Sequence, residues 1–295
     1  MRISRQMKTN FAGYAFIAPN FIGFLLFMGF PVIFSFIISF TNWDYTQGFQ
    51  TIQFNAGKNY LEIWSDDWFI ASLRNNLIYT IGTVPLTIFS ALIISVILDK
   101  YVIGKTAVKL MTFMPYISNV VAVSIVWVMM LAPQGPVTLF VKFIGVQDPP
   151  KWLADMNWAL YAVIIMSIWG GIGYCVLIYT AALRSVPHDL YEAADIDGAK
   201  ELHKFFKITI PMLSPTTFFL IITSIINSFK VFGQINVMTQ GGPGNATTVL
   251  VFYIYKVAFS FFRMGYAAAI SWILFLLLFI VTLVQWLGQR TWVNE

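Results

Sequence analysis

The chain has 295 residues, of which 58% are hydrophobic, 17% aromatic and only 11% charged, and its mean hydropathy is +0.74. A soluble globular domain carries about 25% charged residues, so this composition excludes an ordinary soluble domain. The net charge of +5 is not gathered into a cluster as dense as a nucleic-acid surface requires. We therefore expect an integral membrane protein that does not bind nucleic acid.

Apolar runs along the chain predict an all-α membrane protein with about six transmembrane helices, because about 20 apolar helical residues cross a bilayer. The predicted spans are residues 14–40, 77–98, 110–131, 158–182, 218–235 and 266–287. A shorter apolar run at 249–262 is interrupted by Lys256. This run predicts a helix that is either interfacial or re-entrant.

The distribution of lysine and arginine predicts the orientation, because these residues are enriched in cytoplasmic loops. A cytoplasmic N-terminus leaves the smaller share of them outside and places these residues inside: Arg2, Arg5, Lys8, Lys100, Lys105, Lys109, Arg184, Lys200, Lys204, Lys207 and Arg290. Both termini and the segment 184–211 are therefore predicted to be cytoplasmic.

Many of the charges lie in that segment, residues 184–211, which we call the elbow. Its first helix is predicted to begin at Ser185, a good N-cap, with Pro187 in the first turn. It is predicted to end before Gly198, which suits a left-handed C-terminal cap. Leu190, Ala193, Ala194 and Asp197 then share one narrow face that another protein could approach closely.

The second half of the elbow is predicted to be a short helix from Ala199 that leads to Pro211. It should turn its lysines toward water, namely Lys200, Lys204 and Lys207. Two interpretations remain open on these grounds. The elbow either docks to a cytoplasmic partner and transmits its motion, or lies as an amphipathic anchor on lipid headgroups.

The elbow sequence "EAADIDGAKELHKFFKITIP" resembles the cytoplasmic signature of binding-protein-dependent ABC importer permeases. The matching positions are Glu192, Ala193, Ala194, Gly198, Ile208, Ile210 and Pro211, with Ile210 in place of the usual leucine. The stretches "NSFKVFGQI" and "VMTQGGPGNATT" resemble the carbohydrate branch, the relatives of the larger membrane subunit of the maltose importer. This similarity runs without a gap from Trp169 to Pro243. That subunit has extra N-terminal spans and a large external domain, which have no counterpart in this sequence.

The resemblance implies a type I ABC importer permease fold, with residues 1–295 as one permease domain in the inner membrane of a bacterium. It implies a second permease, two ATPase subunits that bind ATP and Mg, and an external solute-binding protein. This chain would bind no cofactor or metal and have no catalytic residues. By the same resemblance, the residues that couple to the ATPase are Glu192, Ala193, Ala194 and Gly198. Asp197 is added to them because it shares a helix face with the two alanines. The sequence also lacks the phosphate-binding loop of ATPases.

The solute implied by the resemblance is a sugar or oligosaccharide, with a phosphorylated polyol or an acidic sugar as the alternative. An ion-coupled secondary transporter or a membrane-embedded enzyme would favour acidic or paired titratable residues within the spans. The predicted spans contain no Asp, Glu or His. This composition favours the ABC importer permease over both rivals.

The resemblance places solute-lining residues in the fourth and fifth predicted spans, at Gly170, Gly171, Tyr174, Ser224, Asn227 and Ser228. Lys230 is a further candidate because it is the only lysine or arginine well inside a predicted span. For the glycines the alternative is close helix packing. For the polar residues, which share one face at i, i+3 and i+4, the alternative is hydrogen bonding to a neighbouring helix. Lys230 would either bind an acidic solute, or extend to the membrane surface or form an internal ion pair.

Overall fold

A computed structural model describes residues 5–100 and 102–292. Both predicted cytoplasmic termini, residues 1–4 and 293–295, lie outside the described residues. Within the described ranges the chain is helical and has no β-strand, only an isolated bridge between Thr41 and Phe54. The predicted all-α class is therefore confirmed.

Fifteen α-helices follow one another along the described residues. The first half of the chain forms α1 (Arg5–Phe24), α2 (Phe30–Ile38), α3 (Lys58–Glu62), α4 (Asp67–Lys100), α5 (Lys105–Ile117), α6 (Val120–Met130) and α7 (Pro136–Phe143). The second half forms α8 (Ala159–Leu183), α9 (His188–Ile196), α10 (Glu201–Lys204), α11 (Ile210–Met212), α12 (Ser214–Phe229), α13 (Gly233–Met238), α14 (Leu250–Phe259) and α15 (Met264–Trp292).

Four helices in the described residues are long and apolar enough to cross a membrane. They are Gly13–Ile38, which joins α1 to α2 through a π-helical turn, Asp67–Lys100, Ala159–Leu183 and Met264–Gly288. Two bent pairs, α5 with α6 and α10–α11 with α12, raise the number to six if each pair is one span. Large exposed apolar side chains such as Phe16 and Phe27 suit a helix surface in contact with lipid.

The third predicted span, residues 110–131, is formed by two helices, α5 and α6. The chain breaks at Ser118 and Asn119, and α5 and α6 meet at a bend of 96°. Ser118 is extended, and the Asn119 side chain accepts a hydrogen bond of 2.8 Å from the Val121 N–H. Asn119 is thus the N-cap of a new helix, which its apolar flanks concealed in the sequence.

The fifth predicted span, residues 218–235, is wrong at both ends. It begins earlier, at Ser214, after a bend of 64° between Met212 and Ser214, and Pro215 lies in its first turn, where proline is tolerated. It ends at Phe229, with Lys230 as the capping residue. A cation at this position is stabilised by the negative end of the helix dipole.

The described chain divides into two compact units, residues up to Ser65 with Ile254–Ile273, and Asp66–Tyr253 with the residues from Leu274. In the first unit, the loop after α2 is fixed by the buried Asn59 side chain. Its amide donates hydrogen bonds to the carbonyls of Ser39 (2.8 Å) and Thr41 (3.0 Å). The predicted single permease domain over 1–295 stays a prediction.

The core of the second unit forms where α8 packs along α4 and α5. Buried apolar side chains fill it, including Ile88 and Leu98 of α4 and Val176 and Tyr179 of α8. Small residues permit the close approach of the helices, as is usual in membrane proteins. At Gly173 a Cβ atom would lie 2.2 Å from the carbonyl oxygen of Thr112 in α5.

We expect Gly173→Ala to destabilise the protein by about 1–3 kcal/mol, because the added methyl group meets backbone that cannot rotate away. The matched control is Gly170→Ala, three residues earlier on α8, where a Cβ atom would have no neighbour within 4 Å. That control should be neutral or stabilising by up to about 1 kcal/mol, from helix propensity. Thermal unfolding of the two variants in detergent checks this, and equal unfolding temperatures would contradict it.

Candidate functional site

A cavity of about 500 Å³ opens within the second unit. Its walls come from α4, α5, α6, α8 and α12 and from the chain around the start of α13. The lining residues are Tyr79, Thr83, Val84, Thr87, Pro115, Tyr116, Ser118, Val120, Val123, Met166, Ser167, Gly170, Gly171, Tyr174, Cys175, Thr223, Ser224, Asn227, Ser228, Lys230, Val231, Phe232, Gly233 and Gln234. The break between α5 and α6, at Ser118, and the end of α12, at Lys230, both lie on its wall.

The structure brings all seven predicted solute-lining residues to this one cavity. They are Gly170, Gly171, Tyr174, Ser224, Asn227, Ser228 and Lys230. The two glycines differ in their surroundings: a Cβ atom at Gly170 would enter open space, whereas one at Gly171 would lie 3.3 Å from the Thr87 methyl group. Their contact with a solute stays a prediction.

Two tyrosines form an aromatic wall of the cavity. The rings of Tyr174 on α8 and Tyr116 on α5 stack with their centroids 5.0 Å apart and their planes 22° apart. Tyr116 lies just before the break at Ser118, so the bend between α5 and α6 places it at the cavity. The sequence indicated only Tyr174 as an aromatic surface, and the structure adds Tyr116 as its partner.

The polar residues of α12 have different surroundings. Ser228 is buried, and its hydroxyl lies 2.8 Å from that of Thr80 on α4. This contact agrees with the alternative in which the polar residue bonds to a neighbouring helix. Asn227 is exposed, and within residues 5–100 and 102–292 its side-chain amide has no hydrogen-bond partner. Among these polar residues of α12, Asn227 therefore lines the cavity with a side-chain amide that can form hydrogen bonds to an occupant.

Lys230 lies just outside a helix, although the sequence placed it within the fifth predicted span. It follows the last residue of α12, its backbone N–H donates to the Asn227 carbonyl at 3.1 Å, and its side chain is exposed on the cavity wall. This position gives the ammonium group access to whatever occupies the cavity.

The contribution of α4 to the cavity was not predicted. Tyr79, Thr83 and Thr87 of this helix line the cavity, and Thr80 bonds Ser228 from the same helix. A polar pattern was available to find them, because Asn76, Thr80, Thr83 and Thr87 recur at the spacing of one helical face. Gln234 was also missed. It lies in the separate short helix α13, whose first residues the prediction had included in the fifth span.

The elbow begins differently from the prediction. Its first helix, α9, begins at His188 with Pro187 as the capping residue, so the predicted start at Ser185 is wrong. The reason is that the Ser185 and Val186 N–H groups still close the last turn of α8, bonding to the carbonyls of Ala182 and Leu183. Pro187 also disfavours the helical conformation at the residue before it, Val186.

The predicted left-handed cap at Gly198 is confirmed, with φ of +72°. The Ala199 N–H donates to the Ala194 carbonyl at 2.9 Å, and the Gly198 N–H donates to the Asp195 carbonyl at 3.0 Å. These two bonds define a Schellman motif. Most of the predicted coupling residues lie on the exposed surface of this turn and helix, namely Glu192, Ala193, Asp197 and Gly198, and Ala194 is half-buried.

The lysine predicted to face water at position 204 is instead buried. The Lys204 ammonium binds the carboxylates of Asp195 and Glu201, the latter at 2.8 Å. Glu201 also accepts a hydrogen bond from Lys100, the last residue of α4, at 2.5 Å. The carboxylates, that of Asp195 above all, raise the pKa of Lys204, and hydrogen bonds from Lys100 and then Lys204 lower the pKa of Glu201 to about 2.

This ion network fastens the elbow to the end of α4. The Lys100 ammonium also lies 5.7 Å from the centre of the Tyr191 ring on α9, a cation–π contact. Since α4 carries Tyr79, Thr83 and Thr87 on the cavity wall, one helix connects the elbow with the cavity.

His188 has one carboxylate neighbour, which the sequence did not indicate. Its Nδ1 atom lies 3.2 Å from the Glu192 carboxylate one helical turn away. Among the described residues, no group of three or more His, Cys, Asp or Glu side chains could hold a metal ion. The pair is therefore an exposed contact within α9.

Long apolar helices and two bent helix pairs, around a cavity with hydroxyl, amide and aromatic groups in its wall, are features of a multi-pass membrane protein. Residues 69–293 match the sequence profile of the family described as binding-protein-dependent transport system inner membrane component, and the chain belongs to this family. As a permease subunit of an ABC transporter it is not itself an enzyme.

Two relatives match almost the whole chain. The probable ABC transporter permease protein YesP of Bacillus subtilis (strain 168) is 33% identical over 299 residues, covering 100% of this chain and 96% of the relative. The lactose transport system permease protein LacF of Rhizobium radiobacter is 33% identical over 294 residues, covering 98% and 97%. These similarities agree with the predicted ABC permease.

Two crystal structures of a bacterial alginate ABC transporter have the same fold. One is of a transporter involved in the import of the acidic polysaccharide alginate, and the other is in complex with an alginate pentasaccharide-bound periplasmic protein. Their TM-scores are 0.81 and 0.80, both at 24% identity, over 97% and 99% of this chain and 98% of the other chain. The predicted ABC importer permease fold is confirmed.

Proposed function

We propose that this chain is the permease subunit through which an ATP-driven importer passes a sugar or oligosaccharide across a bacterial inner membrane. An external binding protein delivers the solute, a second permease completes the pathway, and two cytoplasmic ATPase subunits bind ATP and Mg. The lactose permease among the relatives and the alginate transporters among the solved structures support a carbohydrate as the solute.

The observation that carries this proposal is the chemistry of the cavity. The stacked rings of Tyr116 and Tyr174 offer an apolar face, and the Asn227 amide and the surrounding hydroxyl groups offer hydrogen bonds. A sugar has the same division between C–H faces and hydroxyl edges. The open space at Gly170 leaves room for a ring beside the aromatic wall.

The elbow couples the cavity to the ATPase subunits. Its exposed surface at Glu192, Ala193, Asp197 and Gly198, with Ala194, forms the docking surface for an ATPase subunit, and both termini lie on the same cytoplasmic side. Motion of the docked elbow passes through Glu201 and Lys100 into α4, which forms a wall of the cavity. Closure of the ATPase subunits thereby reshapes the cavity.

The function is tested in proteoliposomes that contain this chain, its second permease, the ATPase subunits and the binding protein. We expect ATP hydrolysis to rise with loaded binding protein, and sugar uptake to require ATP and every subunit. Uptake that persists without the ATPase subunits and follows a proton or sodium gradient would instead identify a secondary transporter and contradict the proposal.

The ion network yields a separate prediction for Lys204→Met. This change removes the ammonium group that joins Asp195 and Glu201, and we expect the elbow to lose local stability. Hydrogen exchange of residues 188–211 should become faster, and uptake per ATP hydrolysed should fall several-fold. The matched control is Lys207→Met, since Lys207 is exposed, and it should behave as wild type. Equal exchange rates in both variants would show that the network does not hold the elbow.

A further inference from the structure

The charge of the cavity wall is one-sided. Among the residues that line the cavity, Lys230 is the one lysine or arginine, and no Asp, Glu or His is among them. The rest of the polar lining consists of hydroxyl and amide groups and the Cys175 thiol. Lys230 is therefore the one charged side chain that the lining residues present to an occupant.

The Lys230 ammonium is not neutralised within this chain. In the part of the chain that the structure describes, no carboxylate lies within ion-pair distance of it. A charged side chain that faces a cavity in a membrane protein normally has a partner or marks the path of a solute or ion. The exposed position on the wall leaves the partner to come from the cavity.

We propose that the solute carries an anionic group, the carboxylate of an acidic sugar or a phosphate, which binds Lys230 while the sugar ring lies against Tyr116 and Tyr174. This inference rests on the proposed function and makes it more specific. A charge-assisted hydrogen bond from the ammonium group to anionic oxygens is stronger than one between neutral groups, so the contact separates acidic solutes from their neutral counterparts.

The test uses the complete reconstituted transporter with its own binding protein and a panel of paired solutes. The pairs are oligouronates of two to five sugars with their carboxyl-reduced neutral forms, and sugar phosphates with the free sugars. We expect acidic members to be taken up, and the uronate and phosphate arms to show which anion is used. Lys230→Met should lower the uptake rate of the acidic solute about tenfold at saturating loaded binding protein, equal to about 1.4 kcal/mol.

Two further variants make the result specific to charge in the cavity. Lys230→Arg keeps the charge and should retain most of the uptake. Lys142→Met makes the same chemical change at an exposed lysine outside the cavity and should leave uptake unchanged. Assembly of each complex is checked by size-exclusion chromatography.

The outcomes separate this inference from the proposed function. Uptake of a neutral sugar in preference to its acidic form, or wild-type uptake by Lys230→Met, overturns the inference and leaves the importer in place. Equal loss of acidic and neutral uptake in Lys230→Met also overturns the inference, because the lysine would then not act on the anionic group. It would instead pair with a neighbouring subunit. If no member of the panel stimulates ATP hydrolysis or enters, the proposed sugar import fails and the inference fails with it.

Discussion

Replacing Gly170 with phenylalanine is expected to abolish solute uptake while the protein stays folded. A Cβ atom at this position would meet no atom within 4 Å, so the new ring enters the cavity instead of the helix packing. Glycine is also among the poorest helix formers, and its loss from α8 costs no helix stability. The ring would occupy the space beside Tyr174 in a cavity of about 500 Å³, which excludes a sugar ring by volume.

The measurement is uptake of the transported sugar by the reconstituted complex, together with the thermal unfolding temperature of the variant. Gly170→Ala is the matched control, because it adds a Cβ atom without filling the cavity, and it should keep uptake near the wild-type rate. We expect Gly170→Phe to reduce uptake at least about 100-fold with an unchanged unfolding temperature. Normal uptake by a folded Gly170→Phe protein would mean that the solute does not pass through this cavity.

Replacing Gly198 with proline is expected to uncouple ATP hydrolysis from uptake. The wild-type residue has φ of +72°, whereas the proline ring fixes φ near −65°. Proline also lacks the N–H group that bonds to the Asp195 carbonyl at 3.0 Å. The turn between α9 and α10 cannot form as it does now, and a local cost of about 3 kcal/mol or more follows.

The expected result is loss of solute-stimulated ATP hydrolysis and of uptake in a complex that still assembles. Gly198→Ala is the control: the site has open space for a Cβ atom, and a left-handed alanine costs about 1–2 kcal/mol. That variant should retain a reduced but coupled activity. If Gly198→Pro hydrolysed ATP and imported sugar as the wild type does, the elbow would be an anchor on the membrane surface and the transmission through α4 would be refuted.

The two predictions address opposite ends of one path. Gly198 lies in the elbow, and the elbow holds the end of α4 through Glu201 and Lys100. Gly170 lies on α8, which packs against α4 across the core. A combined Gly170→Phe and Gly198→Pro protein would show no uptake for two separate reasons, so each variant must be measured alone.

The sequence by itself determined the class of the protein and the geometry of some of its segments. Long apolar runs predict membrane helices because only a helix satisfies its own backbone in lipid, and the predicted span 158–182 agrees with α8 within a residue at each end. The glycine at position 198 predicted its left-handed turn because no other residue adopts it so freely. The spacing of Ser224, Asn227 and Ser228 placed them on one face of a helix.

Only the tertiary structure decided which of those residues face the cavity and where the spans break. Ser228 and Asn227 are adjacent in sequence, yet Thr80 of α4 holds the first and leaves the second exposed. Lys204 is buried because Asp195 and Glu201 surround it, a grouping that helical periodicity does not show. Hydrophobic periodicity predicts which face of a helix is buried. The burial of Lys204 and Ser228 and the exposure of Asn227 depend instead on individual contacts with residues elsewhere in the chain.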